Sequence, residues 1–311
     1  MPELKVGIVG CGRMGRERGR CAAALGAKVS LVFDTDPARA QSLCDEYCST
    51  PAQHMEECLE TDLDAIFVCI PPGSRGTFEL HCMDRGVPLL SEKPAGISAV
   101  TVSLLSDRSL RTCTINAVGY MNRYRSSIQA VRRKLPTVNA IGFSAHWVCR
   151  PYGVPWWGVE ELSGGPHNEQ ATHLFDMTRF LFGEISAVQS RAVGRTRVSS
   201  ILQFRSGVVG NVFYSCDGNS KDIGIRIFTD RGILALTGWD FAMSENTVDS
   251  DLAGPRNEDI FLEETRAFLN AVQQHRQELI LSNFFDAHFT QLAIDASRQS
   301  IHTGRTVEVN E

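Results

Sequence analysis

The sequence predicts an α/β protein in two parts. A doubly wound parallel sheet occupies residues 1–120, and an α+β domain with an open, mainly antiparallel sheet follows over residues 121–311. Three observations carry this reading. Strand-like and helix-like segments alternate through the first 120 residues, and the first strand runs straight into a glycine-rich turn. Beyond Gly119 the alternation gives way to consecutive short strands with hairpin-sized links.

In chain order, residues 5–10 (KVGIVG) read as a buried strand, Gly10-Cys11-Gly12-Arg13-Met14-Gly15 as a tight turn, and 16–25 as a helix. Gly10 permits the turn, Gly12 lets phosphates approach the backbone, and Gly15 lets helix and strand pack closely. Backbone N–H groups of this loop, including those of Arg13 and Met14, and the positive helix end suit a pyrophosphate. A tight turn without a ligand is the bland alternative. The strand–turn–helix context and a suitably spaced acid favour dinucleotide binding.

That acid is Asp34, at the end of a second strand over 28–34. Asp36 caps the next helix and Pro37 opens it, which leaves Asp34 for an adenosine ribose. Neither Thr35 nor Asp36 offers a cation for a 2′-phosphate, and Asp34 repels one, so NAD is expected in preference to NADP. Residues 64–70 form an apolar run suited to a strand buried on both faces. This strand ends at Ile70-Pro71, at the carboxyl edge where ligands bind in such sheets, and both residues are candidate cofactor contacts. A helix over 76–85 and a strand over 87–91 lead to Glu92-Lys93-Pro94 at the next carboxyl edge; a helix over 98–108 and a strand over 112–118 complete the sheet.

The second part reads as a helix (126–135) followed by strands at 140–149, 187–195, 198–204, 208–216, 222–229 and 232–236. A helix over 166–182 interrupts them, and helices over 258–275 and 286–302 close the chain. An open sheet leaves one face bare, which predicts a homodimer or homotetramer formed through it.

Composition sets the frame. Of the 311 residues 43% are hydrophobic and 22% charged, with a formal net charge of −5, values typical of a soluble globular protein. This gives no reason to expect nucleic acid or an anionic membrane as a partner. No apolar run approaches the roughly 20 residues of a membrane span, and no targeting segment is recognisable, so a cytoplasmic protein is expected. The ten cysteines are scattered without a CxxC pair, the pattern of reduced core thiols and not of disulfides or a zinc knuckle.

Two features carry chemistry beyond the glycine loop. Lys93 stands between Glu92 and Pro94, and a proline restricts the residue before it to extended geometry. A partly desolvated lysine there can hydrogen-bond or protonate a reacting oxygen; a solvated turn lysine is the alternative. The second is Gly164-Gly165-Pro166-His167-Asn168-Glu169, followed by His173. On a helix Glu169 and His173 lie four residues apart on one face, where a carboxylate orients an imidazole and raises its basicity. That is a general-base arrangement, or a plain surface pair. His167 and His173 are six apart and fall on different faces, so no metal site is expected. Tyr120 and Arg123, Trp156 and Trp157, and His167 are candidate substrate contacts, beside Lys93 and His173 themselves.

Taken together and in this order, GxGxxG, Glu92-Lys93-Pro94 and Gly164-Gly165-x3-Glu169-x3-His173 resemble the glucose–fructose oxidoreductase / inositol dehydrogenase (Gfo/Idh/MocA) family. The resemblance extends over essentially the whole chain, to Thr303-Gly-Arg-Thr-Val-Glu308. It implies an N-terminal Rossmann domain holding a nicotinamide cofactor, with the second domain binding substrate and mediating oligomerisation. It further implies that Lys93 polarises the reacting oxygen, that His173 is the acid/base, and that hydride moves between NAD and a secondary alcohol or ketone of a sugar, polyol or inositol. Glu169 stands where the family often has aspartate. The usual T-P-N-x-x-H segment is here Ile70-Pro71-Pro72-Gly73-Ser74-Arg75. A reductase of a non-sugar carbonyl or conjugated substrate, and a dinucleotide sensor that never turns over, are the alternatives.

Overall fold

The computed structural model describes residues 3–244 and 257–310. The chain begins β1 (Lys5–Val9), α1 (Arg13–Ala24), β2 (Lys28–Phe33), α2 (Pro37–Tyr47), β3 (Thr50–Pro51), α3 (Glu57–Glu60) and β4 (Ala65–Val68). It continues with α4 (Thr77–Asp84), β5 (Leu89–Ser91), α5 (Ala99–Thr112) and β6 (Asn116–Val118). All six strands pair in parallel, in the order β3-β2-β1-β4-β5-β6. Chain order reverses between β1 and β4, so the carboxyl ends of these two strands form the switch point where ligands bind in open sheets. Every residue of β4 is buried, as its unbroken apolar run requires. Asp36 caps α2, accepting the Ala38 N–H at 3.0 Å. α1 starts at Arg13, three residues earlier than expected, which brings Arg13 and Met14 into its first turn. The last strand is shorter than expected because α5 runs on to Thr112 and Cys113 turns the chain at φ +53°.

The next segment contributes α6 (Ser126–Lys134), β7 (Ala140–Val148), α7 (Glu160–Ser163), α8 (Thr172–Phe182), β8 (Ile185–Val193), β9 (Arg197–Phe204) and β10 (Val209–Ser215). β11 (Asp222–Thr229), β12 (Gly232–Thr237) and β13 (Ala242–Met243) follow. With β14 (Val307–Glu308) these strands form an eight-stranded sheet in the order β13-β12-β11-β7-β10-β9-β8-β14. Its pairings are antiparallel except β7 with β10, which run parallel from Gly142↔Val209 to Val148↔Ser215. Two helices and two strands separate β7 from β10 in the chain, so a hairpin between them is not imposed. β9 alternates exposed and buried positions through its length. Register places Val193, Ile201, Val209, Phe213 and Phe228 on the exposed face.

α9 (Ile260–Gln274) and α10 (Phe284–Thr303) close the fold. The single cut expected near residue 120 is corrected here. The first compact unit takes residues up to Gly96, Val100–Met121 and, returning late in the chain, Asp259–His288. The second takes Ile97–Ala99, Asn122–Glu258 and Phe289–Glu311. The return is driven by burial: Phe268 of α9 meets Phe67 of β4 edge-on at 5.6 Å, and Leu269, Ala271 and Val272 join the same core. It also covers the sheet edge. Asn116 N–H donates to Gln277 Oε1 at 2.9 Å, Gln277 Nε2 donates to the Asn116 carbonyl at 2.9 Å, and Val118 N–H donates to the Ser282 carbonyl at 2.9 Å. Among the described residues no helix is long and apolar enough to cross a membrane.

Candidate active site

The glycine loop has the shape a dinucleotide requires. Gly10 sits at φ +96°, and a Cβ there would lie 2.6 Å from the Cys69 carbonyl oxygen. A Cβ on Gly15 would lie 2.0 Å from the Gly10 oxygen, whereas one on Gly12 meets nothing within 4 Å. The loop is thus closed on two sides and open at Gly12. α1 has no side-chain cap and no acid in its first turn, so its positive end is not neutralised locally. Asp34 is fixed beside the loop: Oδ2 accepts the Cys11 N–H at 2.7 Å and Oδ1 accepts the Asp36 N–H at 2.8 Å. Two N–H bonds leave lone pairs on this carboxylate for ribose hydroxyls. Burial, with help from Asp34, pushes the Cys11 thiol up to about 12, so the loop cysteine is not a nucleophile.

Ile70 and Pro71 stand half-buried at the carboxyl end of β4. The Ile70 carbonyl accepts from Arg75 Nε at 3.0 Å and Nη2 at 2.7 Å, and Arg75 Nη1 donates to the Pro94 carbonyl. Arg75, buried, therefore clamps the loop after β4 to the segment after β5. Lys93 is half-buried there, and its peptide bond to Pro94 is cis.

Glu92, beside Lys93 at the same carboxyl edge, is a further candidate cofactor contact of the sequence. Its carboxylate is buried against Arg18, accepting from Nε at 2.8 Å, and Arg18 also reaches Glu264 at 2.5 Å and Thr265 Oγ1 at 3.1 Å. Burial pulls the Arg18 pKa down, and the two carboxylates lift it above the usual arginine value. Glu92 anchors the backbone next to Lys93. Tyr120 is buried beside Val118, Phe284 and Ala287.

In the second unit Gly164 and Gly165, at φ +71° and +85°, end α7 and turn the chain. The helix expected over 166–182 is not uniform: a π-type segment, His167–Ala171, precedes α8. Glu169 lies in that segment and His173 four residues on in α8, a spacing of close to one full turn. Glu169 accepts the Trp157 indole N–H at 2.8 Å and a bond from Gln170 Nε2. Trp157 is thus buried as the partner of Glu169, while Trp156 is half-buried beside it. The His173 ring stacks on Trp147 of β7, with centroids 4.8 Å apart and planes 8° from parallel.

Two further candidates belong to the core. His167 is hydrogen-bonded through Nε2 to Ser297 Oγ at 2.9 Å, and burial pushes its pKa down to about 4. Ser297 in turn meets Ser190 at 2.8 Å, and Ser190 donates to Ser200 at 2.8 Å, so His167 is a neutral core histidine. Arg123 donates Nε and Nη2 to Asp176 at 2.9 and 2.6 Å, a buried bidentate pair over which Phe180 lies 5.1 Å away. The partners that sequence reading missed are Trp147, Asp176, Arg18 and Arg75. Only Asp176, one turn beyond His173 on α8, carried a local signal.

Residues 4–107 match the family described as "Oxidoreductase family, NAD-binding Rossmann fold", and residues 138–235 match its GFO/IDH/MocA C-terminal domain. The chain is similar to inositol 2-dehydrogenase 2 of Mycolicibacterium vanbaalenii, with 28% identity over 197 residues, 61% of this chain and 56% of that protein. It thus spans little more than half the length of that relative. Inositol 2-dehydrogenase of Rhizobium meliloti is 24% identical over 297 residues, with 87% of each chain covered. The fold is shared with WlbA dehydrogenase of Bordetella pertussis, solved with NADH and UDP-GlcNAcA (TM-score 0.85, 17% identity, 99% of this chain and 98% of that one). It is shared equally with a putative myo-inositol dehydrogenase of Sinorhizobium meliloti 1021 (TM-score 0.82, 21% identity, 99% and 100%). The open glycine loop, the uncapped α1 and Asp34 fit the family's cofactor, NAD.

Proposed function

Since the chain belongs to the Gfo/Idh/MocA oxidoreductase family, we propose that it is an NAD-dependent dehydrogenase acting on a secondary alcohol, or its ketone, of a sugar, polyol or inositol. The observation that supports this most is His173, held flat on Trp147 at the start of α8, in a chain that also carries Lys93 behind a buried anchor. Glycines 10, 12 and 15, the α1 terminus and Asp34 hold the dinucleotide, with Arg13, Met14, Ile70 and Pro71 around it. When bound, the nicotinamide supplies the hydride acceptor.

The rest falls to side chains. His173 takes the proton of the substrate hydroxyl, and Lys93 stabilises the charge that develops on that oxygen. Stacking on Trp147 fixes the imidazole plane, so its nitrogens keep their direction. Glu169, tied to Trp157 and Gln170 in the segment that leads into α8, orients the His173 imidazole. Arg18 and Arg75 fix the backbone on either side of Lys93. The exposed apolar residues Ile201, Val209 and Phe213 support a homodimer or homotetramer through the eight-stranded sheet. All ten cysteines are free, which supports a cytoplasmic protein.

The test is NADH formation, read at about 340 nm, with NAD and a panel of sugars, polyols and inositols. Lys93→Ala and His173→Ala are each expected to lower kcat by roughly 100-fold or more, with NADH affinity nearly unchanged. Undiminished turnover in both variants overturns the assignment. NADH binding without turnover on any compound favours the sensor.

A further inference from the structure

The second unit contains a buried cation whose terminal nitrogens find no acceptor at ordinary hydrogen-bond distance among the described residues. Arg125, just before α6, is 1% exposed. Its Nε donates to Asn122 Oδ1 at 2.9 Å, but neither terminal nitrogen, Nη1 or Nη2, has a hydrogen-bond acceptor among the described residues. Asn122 Nδ2 is likewise buried without an acceptor. Among the described residues Asp240 pairs with Arg125, 3.6 Å from Nη1 and partly open to solvent. That ion pair is longer than an ordinary hydrogen bond and involves one of the two terminal nitrogens. Among the described residues Glu258 also acts on Arg125, but its carboxylate already accepts from Ser126 N–H at 2.9 Å and Oγ at 3.1 Å.

The walls are aromatic. Trp239 and Phe241 lie 5.3 and 5.6 Å from the guanidinium, and the Lys221 ammonium sits 4.3 Å from the Trp239 ring. Trp239 also meets Trp147 edge-on at 6.2 Å, and the Trp147 ring carries His173. One continuous set of rings therefore connects the unsatisfied cation to the candidate acid/base. Burial pulls the Arg125 pKa down to about 10, which leaves it charged at neutral pH. A buried charge with unmet donors is unfavourable, and a guanidinium fork matches a carboxylate or phosphate through two parallel bonds.

We propose that Arg125 and Asn122 form an oxyanion subsite that takes a carboxylate of the substrate, so that the substrate is an acidic sugar or polyol and not a neutral one. This rests on the dehydrogenase reading and narrows it. A carboxylate bound end-on accepts from Nη1 and Nη2, and Asn122 Nδ2 is a third donor. Trp239, 37% exposed, is the solvent-side wall.

The experiment compares matched compounds with NAD: neutral hexoses and polyols, the uronic and aldonic acids derived from them, and their phosphate esters. Wild type, Arg125→Lys and Arg125→Met are assayed, with an NADH titration to confirm that each variant is folded. The expected result is a kcat/KM for the acids about 100-fold above that of their neutral partners. In Arg125→Met that ratio falls to near one, and Arg125→Lys, which keeps the charge and loses the fork, lies between. A preference for phosphate esters that Arg125→Met abolishes overturns the carboxylate and keeps the oxyanion subsite. Equal rates on neutral and acidic compounds, or a ratio that Arg125→Met leaves intact, overturn the proposal while the dehydrogenase reading stands. If nothing is turned over, tryptophan fluorescence with NAD and glucuronate decides. Arg125-dependent quenching keeps the subsite without the dehydrogenase, and no quenching overturns both.

Discussion

Arg18 in the first unit and Arg125 in the second are both buried guanidiniums, yet their surroundings are opposite. Arg18 meets two carboxylates and a threonine hydroxyl, which reverse the effect of burial and raise its pKa. Arg125 meets aromatic faces and a single, partly solvated aspartate 3.6 Å away, and burial lowers its pKa to about 10. A buried charge does not announce its role. What separates the two is whether the chain itself supplies hydrogen-bond partners. Where it does, as at Arg18, the charge ties α1, the Lys93 segment and α9 together. Where it does not, the open donors point to a ligand.

The largest effect that sharpens this contrast is on stability. Arg18→Met leaves Glu92 and Glu264 buried without their cation, and is expected to cost about 3–5 kcal/mol in chemical denaturation. A loss near zero would mean that Arg18 is no tie. Next comes the buried His167, whose pKa of about 4 lies below its ordinary value of 6.5. Between these values the unfolded chain binds the proton and the folded chain does not. Stability therefore falls as pH drops from about 6.5 towards 4, by up to about 3 kcal/mol. Urea midpoints across that window, compared with those of His167→Gln, measure it; equal slopes would break the prediction.

Smaller again is the clamp on Lys93. Arg75→Met frees the Ile70 and Pro94 carbonyls and is expected to lower kcat roughly 10-fold. NADH affinity should change less than kcat, because the clamp acts on the lysine segment and not on the glycine loop. A loss of NADH binding alone would instead make Arg75 a support for the cofactor. The smallest effect is the other half of the comparison. Arg125→Met is expected to leave stability within about 1 kcal/mol of wild type, or to raise it, since unsatisfied donors are removed. A cost as large as that of Arg18→Met would make Asp240 a structural partner and erase the distinction.

Much of the fold was legible in the sequence because its signals are local. The alternation of elements, the glycine turn and the capping pair Asp36-Pro37 depend on near neighbours in the chain, and they appear where expected. The second sheet was legible in its strands but not in the parallel pairing of β7 with β10, which no hairpin specifies. The return of α9 to the first unit was not legible either, since an amphipathic helix does not say which core it covers. In the candidate site the sequence separated Lys93, His173 and Asp34 from the rest. It did not show that Tyr120, Arg123, Trp157, His167 and Glu92 are buried with partners or core neighbours of their own.

By itself, then, the sequence determined the α/β class, the dinucleotide loop with its acid, and the lysine and histidine motifs, because backbone conformation and helix and strand periods arise from adjacent residues. Tertiary structure alone decided which polar side chains are spoken for. Arg18 and Glu264 are 246 positions apart and Arg123 and Asp176 are 53 apart, yet each pair is in hydrogen-bond contact. A charged or aromatic side chain looks the same in sequence whether it faces a partner, a ligand or the core. Only the folded chain, by burying it with or without an acceptor in reach, makes it one or the other.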